Sequence, residues 1–98
     1  MTKKVKQEVQ ELIEKLDLDC TIREFKDKVG WYYISRFQKL SEDFIREFQD
    51  EVNWLYASCY QILSEDFIKE FQHKVDWYYI FHYQKPSESL IREFQDKT

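Results

Sequence analysis

The sequence predicts an all-α fold, a short α-solenoid of about four helix-turn-helix repeats with an N-terminal capping helix. Three observations lead there. Trp31, Trp54 and Trp77 fall 23 residues apart, and the phrase LSEDFIREFQ at 40–49 returns as LSEDFIKEFQ at 63–72. Self-similarity at a fixed period of about 20 to 50 residues marks stacked repeats. The composition agrees: 18% of residues are aromatic, which can fill a core, while one Gly and one Pro are too few for the turns of an all-β chain.

A length of 98 residues suits one domain over 1–98. The tryptophan register divides it into a diverged cap at 4–26 and units at 27–49, 50–72 and 73–95. In the first segment Val5, Val9, Leu12, Ile13 and Leu16 make one apolar stripe among Lys, Gln and Glu, the pattern of an amphipathic capping helix. Ile22-Arg23-Glu24-Phe25 then stands where Ile45-Arg46-Glu47-Phe48 stands in the next unit.

Each later unit reads as two short helices. The first opens at the tryptophan, after Gly30, Asn53 or Asp76, all accepted N-caps. Trp31, Ile34 and Phe37 are expected to face inward, with Tyr33 and Phe37 pairing at i, i+4. The second follows Ser41, Ser64 or Ser87. Phe44, Ile45, Phe48 and Val52 share one of its faces, and Glu42, Asp43, Glu65 and Asp66 complement the dipole in the first turn. Leu40 and Leu63 precede the caps as hydrophobic staples for Ile45 and Ile68. Pro86 takes that place in the last unit and forbids a continuous helix. Helices of about two turns do not persist alone in water, so each unit needs its neighbours. Leu90, Ile91 and Phe94 give the last helix an internal-type face, which predicts pairing with a partner or a homodimer through the C-terminal repeat.

Charge and motifs exclude several function classes. A formal net charge of −4 opposes a general nucleic-acid binder. No apolar run approaches the roughly 20 residues of a membrane span, and no signal peptide opens the chain. Cys20 and Cys59 read as free thiols of a cytoplasmic protein. One glycine allows no phosphate-binding loop, and His73 and His82 share no metal-ligand spacing, so neither cofactor nor metal is expected. Cys59 and His82 occupy matching positions in adjacent units, but nothing supplies an orienting group or an oxyanion site. The acid pairs are explained as helix caps. The reading is of a protein that is not an enzyme.

The string WYYISRFQKLSEDFIREFQD at 31–50, with its later copies, resembles a short helical repeat of phage and giant-virus proteins. The resemblance runs from about residue 19 onward and brings no enzymatic activity with it. It implies the fold and a viral origin. By analogy with small acidic phage proteins, it further implies an inhibitor of a host defence protein, such as an anti-CRISPR, acting in the host cytosol by steric blockade.

Comparison between units points to partner contacts. The first helix varies at 32/55/78, 35/58/81 and 36/59/82, and positions free to vary are usually exposed. Tyr32, Arg36, Leu55, Tyr78, Phe81 and His82 are therefore candidates on the continuous face, lined by one helix series, that solenoids use for binding. Units 27–49 and 73–95 are neutral, while 50–72 carries −4. Asp50, Glu51, Glu65 and Asp66 could meet a basic patch on a host protein such as a nucleic-acid-handling enzyme. Two alternatives remain: a structural or self-associating repeat, including a designed array, and a single-stranded nucleic-acid reader that stacks bases on Tyr32, Arg36, Tyr78 and His82.

Overall fold

The structure, a computed structural model, describes residues 1–97. It is all-helical, with no strand among the described residues. Helix α1 spans Lys3–Lys15, α2 Phe25–Lys28, α3 Trp31–Phe37, α4 Glu42–Glu47, α5 Trp54–Tyr60, α6 Glu65–Glu70, α7 Trp77–Tyr79 and α8 Glu88–Phe94. A π-helical turn, Ile80–Gln84, continues α7, and a 3₁₀ turn, Gln95–Lys97, follows α8. The radius of gyration, 14.3 Å, exceeds the ~13 Å of an isotropic domain of this length. The extents of 45 × 23 × 18 Å describe the same elongation.

The chain breaks where the caps require it. Thr2 caps α1 by accepting from the Val5 N–H, and the helix ends in a Schellman turn. There Leu18 N–H reaches Ile13 C=O at 2.9 Å, and Asp17 takes the left-handed position, φ 53°, usually held by Gly. Ser41, Ser64 and Ser87 accept from Phe44, Phe67 and Leu90 N–H at the starts of α4, α6 and α8. Asn53 and Asp76 do the same for Tyr56 and Tyr79. Before α2, Thr21 and Glu24 exchange bonds in a capping box. The Thr21 N–H holds the Glu24 carboxyl below its ordinary pKa.

The tryptophans have like surroundings. Each indole N–H donates to the carbonyl five residues before it, at 2.9 Å: Lys26, Gln49 and Gln72. Trp31 packs on Phe44 and Phe48, Trp54 on Phe67 and Phe71, and Trp77 on Phe94. Phe25, Phe44, Phe67, Ile34, Ile45, Ile68, Ile80 and Leu90 are fully buried between the two helix series. The N-terminal stripe of Val5, Val9, Leu12 and Ile13 closes the core, with α1 against α4.

Polar ties repeat with the same period. Glu8 grips the N–H and hydroxyl of Ser41 (3.0 and 2.6 Å), Glu42 those of Ser64, and Glu65 those of Ser87. Gln61 donates to Ser35 and Gln38 carbonyls and accepts from Leu40 N–H, and Gln84 does likewise for Ser58, Gln61 and Leu63. The hydroxyls of Ser35 and Ser58 accept from Asn53 and Asp76 N–H. Arg46 forks onto Glu70 (2.9 and 2.8 Å) and reaches Asp43, while Lys69 approaches Glu93 at 3.5 Å.

One expectation fails here. Phe37 is 57% exposed rather than facing inward. The inward stripe of α3 is Trp31, Ile34, Ser35 and Gln38, spaced i, i+3, i+4, i+7. Phe37 lies about 110° from its centre at 100° per residue. It does pair with Tyr33, with ring centroids 5.1 Å apart.

Candidate functional site

Segments 31–39, 54–62 and 77–85 hold all seven tyrosines and all three tryptophans and no Asp or Glu. Their inward positions take Trp, Ile, Ala, Ser and Gln. The outward positions then leave rings in solvent. Of the ten exposed large apolar side chains, eight belong to these segments: Tyr32, Tyr33, Phe37, Leu55, Tyr60, Ile62, Tyr78 and Tyr83. Helix α3 packs on α5, and α5 on α7 and the π turn, so these residues line one side of the molecule.

The rings are held in two groups. Tyr32 and Tyr56 meet edge to face at 4.7 Å, with their hydroxyls 2.7 Å apart. That bond raises the Tyr56 pKa, because each neutral phenol supplies or receives the shared proton. The Arg36 guanidinium lies 4.8, 5.6 and 5.4 Å from the Phe37, Tyr56 and Tyr60 ring centroids. Further along, Tyr79 and Tyr83 stack at 5.6 Å, and His82 stacks on Tyr78 at 4.1 Å with Nδ1 2.7 Å from the Tyr78 carbonyl oxygen. Burial first, then Tyr83, pushes the Tyr79 hydroxyl up.

The ten residues singled out from the sequence part into three sets. Tyr32, Arg36, Leu55, Tyr78 and His82 lie on this face, with Tyr32 and Tyr78 more than half exposed. Phe81 is half-buried against Trp77, ring centroids 5.7 Å apart. Position 35/58/81 varies for a different reason from exposure. Ser35 and Ser58 are buried and accept the N–H of Asn53 and Asp76 at the next unit's helix start, whereas Phe81 packs on Trp77. The acids form the third set, outside the three ring-bearing segments. Glu65 is engaged by Ser87, whose hydroxyl and N–H lower its pKa, and Asp50 pairs with Lys74 at 3.2 Å. Asp66 is exposed and Glu51 half-buried.

Tyr33, Phe37, Tyr56, Tyr60 and Tyr83 were not among the sequence candidates. Segregation of phenols from carboxylates by segment was the signal that could have found them. Cys20 and Cys59 are free and half-buried, and no hydrogen bond joins Cys59 to His82. No group of three His, Cys, Asp or Glu side chains among the described residues could hold a metal ion. No helix is long and apolar enough to cross a membrane. A groove of about 430 Å³ between α1 and the Lys39–Ser41 turn is lined by both signs of charge, including Lys4, Glu8, Glu11 and Lys39. No protein-family model matches the chain, and no curated protein or solved structure matches it.

Proposed function

We propose that this chain is a non-catalytic protein-binding module, built as a short α-solenoid, whose working surface is the tyrosine face of the α3–α5–α7 series. The observation that carries the reading is the concentration of exposed large apolar side chains there, eight of ten. Tyr, Trp and Arg are the residues that dominate binding at protein interfaces, because they bury much area at low entropic cost. Tyrosine rings bury apolar area while the hydroxyls can keep a hydrogen bond, as Tyr32 and Tyr56 do.

The mechanism is occlusion: a rigid, ring-lined face covers the working surface of its partner. An inhibitor of a host defence protein, the role implied by the phage-like repeat, acts in this way without chemistry of its own. A protein partner fits better than single-stranded nucleic acid. The face offers Arg36, Lys39 and Lys85 as its only full cations, in a chain of net charge −4.

The test is affinity capture from the source cells with wild-type chain, Tyr32→Ser/Phe37→Ser, and Glu51→Lys/Asp66→Lys. Each interface aromatic at a hot spot is worth about 2 kcal/mol, so the aromatic pair should weaken binding by at least 100-fold. The partner should be lost with the first variant and retained with the second. A protein held equally by the aromatic variant, or labelled RNA or single-stranded DNA held in its stead, would refute the reading. Self-association is the rival, favoured by one observation: Ile91 is 40% exposed where Ile45 and Ile68 are buried. Light scattering on wild type and Ile91→Lys separates it, since only a dimer through α8 dissociates with that change.

A further inference from the structure

The 23-residue period allows one unit to be compared with the next, and the ring groups differ at one place. Arg36 sits among Phe37, Tyr56 and Tyr60, within the ~6 Å over which a ring face attracts a cation. No carboxylate pairs with it, so the rings hold the guanidinium. One period later the three ring positions are Tyr60, Tyr79 and Tyr83, and the position of Arg36 is Cys59.

The rings are kept there while the cation is not. Tyr60 and Tyr83 are 48% and 57% exposed, and Tyr79 stacks on Tyr83 much as Tyr56 does on Tyr60, at 5.6 and 5.9 Å. Cys59 ends at Sγ and brings no charge. His82, the next residue in the column, is engaged with Tyr78. No Lys or Arg occurs in 54–62, and Arg36 lies over Tyr60 alone of these three rings. The Asp76 carboxylate that accepts from Tyr79 N–H also acts on the Tyr79 hydroxyl, so the Tyr79–Tyr83 end favours an incoming positive group.

We propose that Tyr60, Tyr79 and Tyr83 accept an arginine side chain of the partner protein, in the place that Arg36 fills one unit earlier. This rests on the tyrosine face being the binding surface. Arginine is the fitting cation because its planar, weakly hydrated guanidinium stacks on aromatic faces, as Arg36 does. A carboxylate would meet the negative ring faces and is repelled.

The experiment titrates the isotope-labelled chain with acetyl-Gly-Arg-Gly-amide and follows tyrosine ring signals by NMR. Rings of Tyr60, Tyr79 and Tyr83 should shift with an affinity of roughly tens of millimolar, as suits one solvent-exposed cation on aromatic faces. Acetyl-Gly-Glu-Gly-amide should leave them unmoved. Cys59→Arg should fill the site from within and abolish the peptide shifts, whereas Cys59→Ser should keep them. Shifts with the glutamate peptide, absence of shifts in wild type, or unchanged shifts in Cys59→Arg would overturn the proposal. The wild-type and Cys59→Ser titrations decide it even if Cys59→Arg does not fold. In capture, Cys59→Arg should lose the partner at least tenfold. Full retention by this variant, with loss in Tyr32→Ser/Phe37→Ser, would sink the arginine site and leave the tyrosine face standing.

Discussion

The glutamine column offers three copies of one residue in three environments, so truncation of each measures what the polar ties contribute. Gln61 is 4% exposed and makes three bonds of 2.7 to 2.8 Å, to Ser35 and Gln38 carbonyls and from the Leu40 N–H. Gln61→Ala removes all three and leaves one donor buried without a partner. At about 1 kcal/mol net per bond, plus about 1 kcal/mol for the orphaned N–H, the loss is about 4 kcal/mol. Gln84 makes the equivalent bonds, but it is half-buried and its bond from Leu63 N–H is long at 3.3 Å. Water can replace it, so Gln84→Ala should cost about 1 to 2 kcal/mol. The Gln38 side chain bridges no earlier unit and only its carbonyl is used, so Gln38→Ala should cost below about 1 kcal/mol. Thermal unfolding followed by circular dichroism reads the series. For a domain of this size 1 kcal/mol moves Tm by roughly 4–8 °C, so Gln61→Ala should melt at least 15 °C lower. Equal losses at the three positions, or the largest loss at Gln38, would show that these bonds do not hold the units together.

Two further outcomes follow from the caps and clamps. Gly30 has φ −81° and ψ 99°, close to Asn53 at −82° and 103°, and a Cβ there would meet nothing nearer than the Tyr33 Cβ at 3.7 Å. Gly30→Asn should therefore raise stability by about 1 kcal/mol, from a new cap on Tyr33 N–H and a less flexible unfolded chain; a lower denaturation midpoint would contradict it. The carboxyls of Glu24, Glu65 and Glu70 are held below the ordinary 4.5 by bonds from Thr21, Ser87 and Arg46. A depressed carboxyl stabilises the fold fully above its unfolded pKa, and that stability is lost as pH falls through the lowered folded value. Melting temperature should fall as pH drops below about 4.5, and Glu65→Gln should be less stable at neutral pH but lose less on acidification. An unchanged acid slope in that variant would count against the clamp on Ser87.

Much of this arrangement could be read from the sequence because the period and the caps are local signals. Ser41, Ser64 and Ser87 cap the helices assigned to them, and the chain turns at each. Thr21-x-x-Glu24 is as local a signal, but it lies in the diverged first unit, where the repeat does not point to it. The clamps were beyond local reading. Glu42 and Glu65 looked fully used by their own helix starts, and their bonds to Ser64 and Ser87 depend on how far one unit rises above the last. Phe37 misled for another reason. Its hydrophobicity suggested the core, but the helix period sends buried Ser35 and Gln38 inward and leaves the phenyl ring outside. Charge was read per unit, which isolated the acidic 50–72 stretch. Read per helix series, it would have separated phenols from carboxylates and drawn attention to Tyr33, Tyr56, Tyr60 and Tyr83.

Repetition and variation are divided between two tasks. Serine with glutamate, glutamine with carbonyl, and indole with carbonyl recur because each tie needs the same atoms at the same rise. Those ties leave 32/55/78 and 36/59/82 unconstrained, and the contacts made at these columns are not repeated. Tyr32 bonds the Tyr56 hydroxyl and Arg36 lies over Tyr56 and Tyr60, whereas His82 stacks on Tyr78 within its own unit. A change there, such as Arg to Cys to His, alters what the face presents and leaves the repeated serine, glutamine and indole ties in place. At 35/58/81 the two serines are part of a tie, and the third copy is Phe81, packed on Trp77. On the proposed reading, selectivity for a partner varies one unit at a time on a scaffold held chiefly by the repeated ties. Changes at Leu55 and Cys59, whose side chains hold no hydrogen bond to another unit among the described residues, should then move binding of the proposed partner while leaving the melting temperature in place. Changes at Tyr32 and Arg36 should also lower it.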